Sequence, residues 1–384
     1  MPDLFVGLGN GLIDVVLLLV ILVGLVVIHE LGHFVAARRA GVTVHEFGIG
    51  FPPRAKVMGK DKHGTLYTLN WLPIGGFVRL EGEEGESDDP HAFIRQRLPT
   101  RLVILLAGVA MNAVLAFVLL TLITALADPS SAVRVLSVQD GSPAQTMGLR
   151  GGVQTGTTSD SQGNAIPIYD NSGDLILAVD GVKSAWFDLP NGPQGLTLYV
   201  RSRPATPVTL TVERGGQIVE LTGTTRTAAE IAENKGPLGF TPQYEPGPTI
   251  SRDPVQAVQI GAQRTLDAAT LILRALGDFI NNLASPPVSG PVGIVQAIGT
   301  VRTEAPPVFL VYFIALLSAN LAVVNVLPLP PLDGGRVAVS LVRALVGERI
   351  SLAAERFVYF AGFVFLMALL AWVTLFDTGI LQRT

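Results

Sequence analysis

The sequence contains no cysteine, which excludes disulfides and thiolate-held metals. Any bound metal must rest on histidine, aspartate or glutamate. Charge is also scarce: 15% of the 384 residues are Asp, Glu, Lys or Arg, against about 25% in an ordinary soluble domain. The net charge of −4 gives no basic footprint, so nucleic acid is not expected as a partner. What fills the space left by charge is apolar, at 49% hydrophobic residues.

The apolar residues are gathered into runs. Four are long enough to cross a bilayer, which takes about 20 helical residues. They run from about Leu12 to Ala37, Leu102 to Leu126, Val308 to Leu327, and Phe357 to Phe376. The first is not read as a removable signal peptide, because its basic residues, Arg38 and Arg39, follow it rather than precede it. Pro328, Pro330 and Pro331 interrupt the third. Basic residues such as Arg54, Lys56, Lys60 and Arg101 lie between the first two spans, and Arg336, Arg343, Arg349 and Arg356 between the last two. The N-terminal tail has no Lys or Arg, and the C-terminal tail has only Arg383. The positive-inside rule puts both basic loops in the cytoplasm and both termini outside.

Between the second and third spans the pattern turns β-like. Leu196–Val200, Val208–Glu213 and Ile218–Thr222 read as short strands separated by Pro and Gly, including Gly215-Gly216. The polar, Gly-rich stretch 151–172 reads as a surface insertion. From Pro254 to Leu283, apolar residues at helical spacing predict an amphipathic helix, lying on the outer membrane surface, on the β-rich domain or in ordinary packing. Val44–Ile49, Leu66–Leu69 and Phe77–Leu80, with a bend at Gly75-Gly76, predict a β-hairpin region after the first span.

The first span carries a His-Glu-Leu-Gly-His run from His29 to His33. Residues four apart share a helix face, so both imidazoles can reach one ion, and Glu30 stands beside them as a base. With only five histidines in the chain, the match is hard to produce by accident. Ionisable residues at membrane depth are costly and functional by default. A catalytic zinc takes three protein ligands, so a third must come from elsewhere. Asp333 is the best candidate, in the segment Asn325 to Gly335, where prolines stop a helix at membrane depth and Gly334 and Gly335 permit a turn. Asn325 and Asn320 supply amides nearby, able to orient a ligand or hold a substrate backbone.

Taken together, these motifs resemble the site-2 protease family of intramembrane zinc metalloproteases (peptidase family M50), in its bacterial regulator-of-sigma-E branch. The resemblance rests on His29-Glu-Leu-Gly-His-Phe34 and on the Asn325 segment ending in Leu332-Asp-Gly-Gly335. It also rests on Ser289-Gly-Pro-Val-Gly293, and on a PDZ-like pattern in Gly141-Ser-Pro-Ala144, Gly148-Leu149, Gly173-Asp-Leu-Ile176 and Val179-Asp-Gly181. It implies His29, His33 and Asp333 as Zn2+ ligands, Glu30 as catalytic base, and Asn325 near the substrate. The family's Ala-Gly-Pro-x-x-Asn run appears as Ala107-Gly-Val-Ala-Met-Asn112, with Val109 in place of proline, which puts a local kink in doubt.

The expected fold is a polytopic α-helical membrane protein with an inserted extracytoplasmic β-rich PDZ-like domain and a cytoplasmic-side, membrane-associated β-hairpin. The expected division is a first transmembrane helix (1–40), a hairpin region (41–98), a second helix (99–127) and a PDZ-like domain (128–248). An amphipathic helix with its connecting loop (249–305), a third span with the Leu-Asp-Gly-Gly motif (306–345) and a fourth with its tail (346–384) follow. The expected function is regulated intramembrane proteolysis in the bacterial inner membrane. Its substrates would be single-span membrane proteins such as anti-sigma factors or signal-peptide remnants, with membrane lipid around it. The competing class is a non-catalytic adaptor that binds peptide tails through the PDZ-like domain. A transporter is disfavoured because no inverted repeat is evident.

Overall fold

The computed structural model describes residues 2–83, 87–159, 163–188, 191–233, 235–282, 289–346 and 352–381. Arg349 and Arg383, and residues 160–162 of the expected insertion, lie outside them. The chain forms two compact units, Met1–Thr121 with Gly261–Thr384, and Leu122–Ile260.

The first unit opens with α1 (Pro2–Arg39), 38 residues long. Its end packs on β1 (Val44–Lys60), β2 (Leu66–Leu80) and α2 (Leu98–Leu126) through buried Ala37, Val44, Leu80, Ile104 and Leu105. The two strands are longer than the sequence pattern suggested, because they form one long hairpin that folds over on itself: Glu46 pairs with both Arg79 and Leu66, and Ile49 with both Gly76 and Leu69. Val44 pairs with Leu80 and Ile49 with Gly76, while Arg54 pairs with Asn70 and Lys60 with Leu66. The reversal passes through Gly75 at φ +75, a left-handed conformation that suits glycine. α2 is one continuous helix, so Val109 marks no break.

The second unit is a β domain. β3 (Pro129–Val138) leads to the short α3 (Pro143–Thr146), N-capped by the Ser142 side chain. Among the described residues, an exposed ribbon of β4 (Gln154–Ser159) and β5 (Ala165–Tyr169) pairs only with itself, which accounts for the polar stretch there. β6 (Leu175–Val179), α4 (Gly195–Arg201), β7 (Pro207–Arg214) and β8 (Gln217–Thr224) come next. α5 (Ala228–Ala232), held by a Thr227–Glu230 capping box, precedes β9 (Phe240–Thr249). The five-stranded sheet has the order β8-β7-β6-β3-β9. Its core includes Val133, Ile176, Leu196, Val208, Leu210 and Leu238.

Leu196–Val200, expected as a strand, is instead helical in α4. The run has only two β-branched residues, and its buried members, Leu196 and Val200, are four apart. That spacing is one helical turn, not alternation.

The chain returns to the first unit through α6 (Pro254–Asn281). Among the alternatives for this helix, ordinary packing accounts for one face: Ala268 is buried with Ala116 and Ala319, and Ile272 packs beside them. Leu266, Leu273 and Ile280, seven apart, remain exposed. α7 (Pro291–Glu304), α8 (Pro307–Val326), α9 (Asp333–Val346) and α10 (Leu352–Asp377) complete the unit. The Gly-Pro-Val-Gly run starts α7, where the Gly293 N–H donates to the Asp377 carboxylate at 2.9 Å. Leu18, Ile21 and Leu25 of α1 pack with Ile298 of α7 and Leu317 of α8.

Four helices among the described residues are long and apolar enough to cross a membrane: Gly11–Arg39, Leu98–Leu126, Pro307–Val326 and Ala353–Asp377. They match the four expected runs. The chain is a multi-pass membrane protein with an inserted β-rich region.

Candidate metal centre

α1 stays helical through the His-Glu-Leu-Gly-His run, so His29 and His33 stand one turn apart on one face. Their Nε2 atoms are 3.1 Å apart. Asp333 arrives from the other end of the chain, as the first residue of α9 after the proline-rich loop. Its Oδ2 lies 2.9 Å from His29 Nε2 and 3.3 Å from His33 Nε2. The three candidate ligand atoms fall within 4.8 Å of one another.

Two glycine positions let the helices close around this point. A Cβ on Gly32 would sit 2.3 Å from the Ala107 carbonyl oxygen, so α1 and α2 meet backbone to backbone there. A Cβ on Gly108 would sit 2.4 Å from His33 Nε2 and 2.7 Å from His29 Nε2. Gly334 and Gly335 act in a similar way, rather than by supplying unusual backbone angles. A Cβ on Gly334 would strike the Val326 carbonyl at 2.2 Å, and one on Gly335 would strike Pro330 N at 2.6 Å. Both seat Asp333 close against the end of α8.

The far side of each imidazole fixes its tautomer. His33 Nδ1 donates to the Ile104 carbonyl at 2.8 Å, leaving the Nε2 lone pair for the site. His29 Nδ1 faces the Asn112 amide at 3.3 Å. Asn112 Oδ1 is buried and otherwise unpaired among the described residues. Turning the amide end for end lets His29 Nδ1 donate to that oxygen, which also frees the second Nε2. The Asn112 backbone carbonyl accepts from Ser318 Oγ at 2.8 Å, tying α2 to α8.

The donor set fits zinc. Asp333 Oδ2 is buried without a hydrogen-bond donor among the described residues. A carboxylate oxygen beside two imidazole lone pairs is repulsive unless a cation lies between them. Ligands about 2.0–2.1 Å from a tetrahedral ion stand roughly 3.3 Å apart, close to the three edges observed here. The chemistry is nitrogen and carboxylate oxygen, as zinc accepts.

Glu30, between the histidines, is half-buried. Its Cγ lies 3.7 Å from where a Gly76 Cβ would be, so β2 runs beside Glu30. Asn320 and Asn325 lie half-buried on α8, Asn325 next to its last residue. Neither hydrogen-bonds to His29, His33 or Asp333 among the described residues. The Ala107–Asn112 run contributes the bare Gly108 surface and the Asn112 amide, with no kink at Val109. The signal was an uncharged polar residue in an apolar span, four positions after a glycine.

The comparisons with known proteins agree. The chain matches the model of peptidase family M50 over residues 17–369. A protein of Clostridium acetobutylicum named as a zinc metalloprotease is 31% identical over 355 residues, covering 92% of this chain and 94% of its own. One of Clostridium perfringens with the same kind of name is 32% identical over 357 residues, covering 92% and 95%. The regulator of sigma-W protease RasP of Bacillus subtilis is 27% identical over 447 residues, covering 94% and 97%. Matched almost end to end by both the family and its members, the chain belongs to peptidase family M50, the site-2 proteases, and is a zinc metalloendopeptidase.

Proposed function

We propose that this enzyme cuts single-span membrane proteins inside the bilayer, as the hydrolytic step of regulated intramembrane proteolysis in the bacterial inner membrane. One observation carries the reading: His29 and His33 project from a helix apolar enough to span, and Asp333 joins them from the broken end of another. Anti-sigma factors and signal-peptide remnants are the substrate classes, and the sigma-W regulator among the relatives supports the first.

His29, His33 and Asp333 would hold the zinc, which supplies Lewis acidity and a water whose pKa falls to about 7. Glu30 takes the proton of the attacking water and returns it to the leaving amide nitrogen. A helical substrate must unwind before its carbonyls can be reached, and the freed backbone needs new partners. The stretch of β2 around Gly76, beside Glu30, is placed to offer them by strand addition. The Asn325 amide, close to the Asp333 loop, would hold a substrate carbonyl, with Asn320 five residues earlier on α8. The apolar residues Phe51, Met58, Trp71 and Leu72, all exposed, would rest the hairpin on the membrane.

The orientation follows the charges: hairpin cytoplasmic, both termini and the β domain outside. That domain would act in the PDZ manner. β9 is an edge strand, and a cavity of about 130 Å³ lies between α4 and Pro237–Phe240. It would admit the trimmed end of a stub and turn intact proteins away.

The test is Glu30→Gln, followed with a single-span substrate in membranes. Cleavage should fall by about 10²–10⁴-fold while zinc content is kept. An unchanged rate would refute Glu30 as the base. Lys60→Cys in this cysteine-free chain should label only from the cytoplasmic side.

A further inference from the structure

A cavity of about 550 Å³ lies in the first unit, within the roughly 300–1,000 Å³ range of small-ligand sites. Its wall comes from four separate stretches: the loop after β2, the first turns of α2, α9 with the residue pair before it, and the start of α10. Among the described residues, four arginines line it, Arg101, Arg336, Arg343 and Arg356, with two glutamates, Glu83 and Glu355. Arg336 is paired with Glu83, and Arg343 with Glu355 at 3.1 Å. Arg101 is differently placed. Its Nη2 donates to the neutral Ser340 hydroxyl at 3.1 Å. Its Nε is buried with no acceptor among the described residues.

A guanidinium N–H buried without an acceptor, as at Arg101 Nε, is costly without an anion. The guanidinium fork matches phosphate and carboxylate oxygens in pairs. The level of the cavity narrows the choice. Arg101 lies in the first turn of the span Leu98–Leu126, and Glu355 and Arg356 in the first turn of Ala353–Asp377. The charged wall therefore stands where two apolar spans begin, at the depth of lipid headgroups. The nearby helices also present bare apolar surface: Leu345 is 86% exposed, Phe357 69% and Phe360 64%. A ligand with a phosphate and acyl chains would satisfy both.

We propose that this arginine cavity is a binding site for the phosphate of an anionic phospholipid headgroup, with the unpaired Nε of Arg101 as a donor to it. The site is separate from the zinc ligands but shares their segment. Pro331 lines it, and Arg336 lies one turn beyond Asp333 on α9. A bound headgroup thus braces the stretch that presents Asp333.

The experiment uses the zinc-loaded full chain in neutral maltoside micelles. It is titrated with dioleoyl phosphatidylglycerol, dioleoyl phosphatidylcholine or inorganic phosphate, following the denaturation midpoint and lipid adducts in native mass spectra. Phosphatidylglycerol should raise the midpoint saturably and leave a one-to-one adduct. Arg101→Gln should weaken that binding by about tenfold or more, and Arg101→Lys by less. If Arg101→Gln does not fold, Arg356→Gln on the adjoining span tests the same wall. A saturable, Arg101-dependent shift with inorganic phosphate alone upholds the phosphate site and makes a free ion its occupant. Equal shifts with phosphatidylcholine, or a phosphatidylglycerol effect unchanged in a folded Arg101→Gln protein, overturn the proposal.

Discussion

The Asn112 side-chain amide stands 3.3 Å from Nδ1 of His29, on a different span from the histidine it faces. Partners behind a metal-bound histidine fix the ring and its tautomer, and their loss weakens metal binding by about 10–100-fold. Asn112→Ala should loosen zinc by that amount. Competition with a chromogenic chelator measures it directly, with no substrate needed.

The same span gives a steric prediction. Gly108→Ala would place a methyl group 2.4 Å from His33 Nε2, so the variant should purify with little zinc and no proteolysis. Gly24→Ala on α1, where nothing lies within 4 Å, is the control. It should be neutral or stabilising by up to about 1 kcal/mol, the helix-propensity gain of alanine. Metal analysis of both proteins separates crowding at the ligands from a general effect of alanine.

In the hairpin, buried Glu46 accepts from Arg54 Nε and from Thr68 Oγ1, each at 2.8 Å. The Arg54 hydrogen bond holds its carboxyl below the usual value of 4.5. A depressed carboxyl stabilises the fold above its unfolded pKa, and that stability is lost as pH falls through the folded value. The hairpin should therefore be firm at neutral pH and loosen in acid, beginning below about pH 4.5. Glu46→Gln should cost about 1–3 kcal/mol at neutral pH and flatten the acid response. Protease nicking near Gly64 across pH, against an acid-stable control protein, reports both.

In the β domain, Arg214 holds Asp174 with two bonds, Nε to Oδ1 and Nη2 to Oδ2, both at 2.7 Å. The Asp174 side chain is 1% exposed. Removing the arginine strands a buried charge, which costs about 3–5 kcal/mol. Arg214→Leu should lower the unfolding midpoint of the domain sharply, and the added Asp174→Asn change should restore part of it. Differential scanning of the two variants decides whether the strain is electrostatic.

Much of this was legible in the sequence, and the exceptions have physical causes. The four spans are runs whose composition alone demands lipid, so the pattern around Leu105 or Phe313 leaves little choice. His29, His33 and Asp333 could be paired across the chain because zinc chemistry asks for a third ligand and the prolines mark where a span stops. Leu196–Val200 misled because five residues rich in Leu, Thr and Val suit either period, and burial of residues four apart decides it. The reversal of β2 was visible only as Gly75-Gly76, since strand partners are set by contacts far apart in sequence. The arginine cavity was illegible: Arg101 and Arg343 read as topology signals, and only folding brings four stretches to one wall.

The division of the proposed ligand set between α1 and α9 has a consequence for how the enzyme is born. A ribosome that has made His33 still has about 300 residues to add before Asp333 leaves the tunnel. At about 5–20 residues per second, that interval is roughly 15–60 seconds. Through all of it the donor set proposed for zinc is incomplete. Synthesis itself would thus withhold the third proposed ligand until most of the helical scaffold has been made.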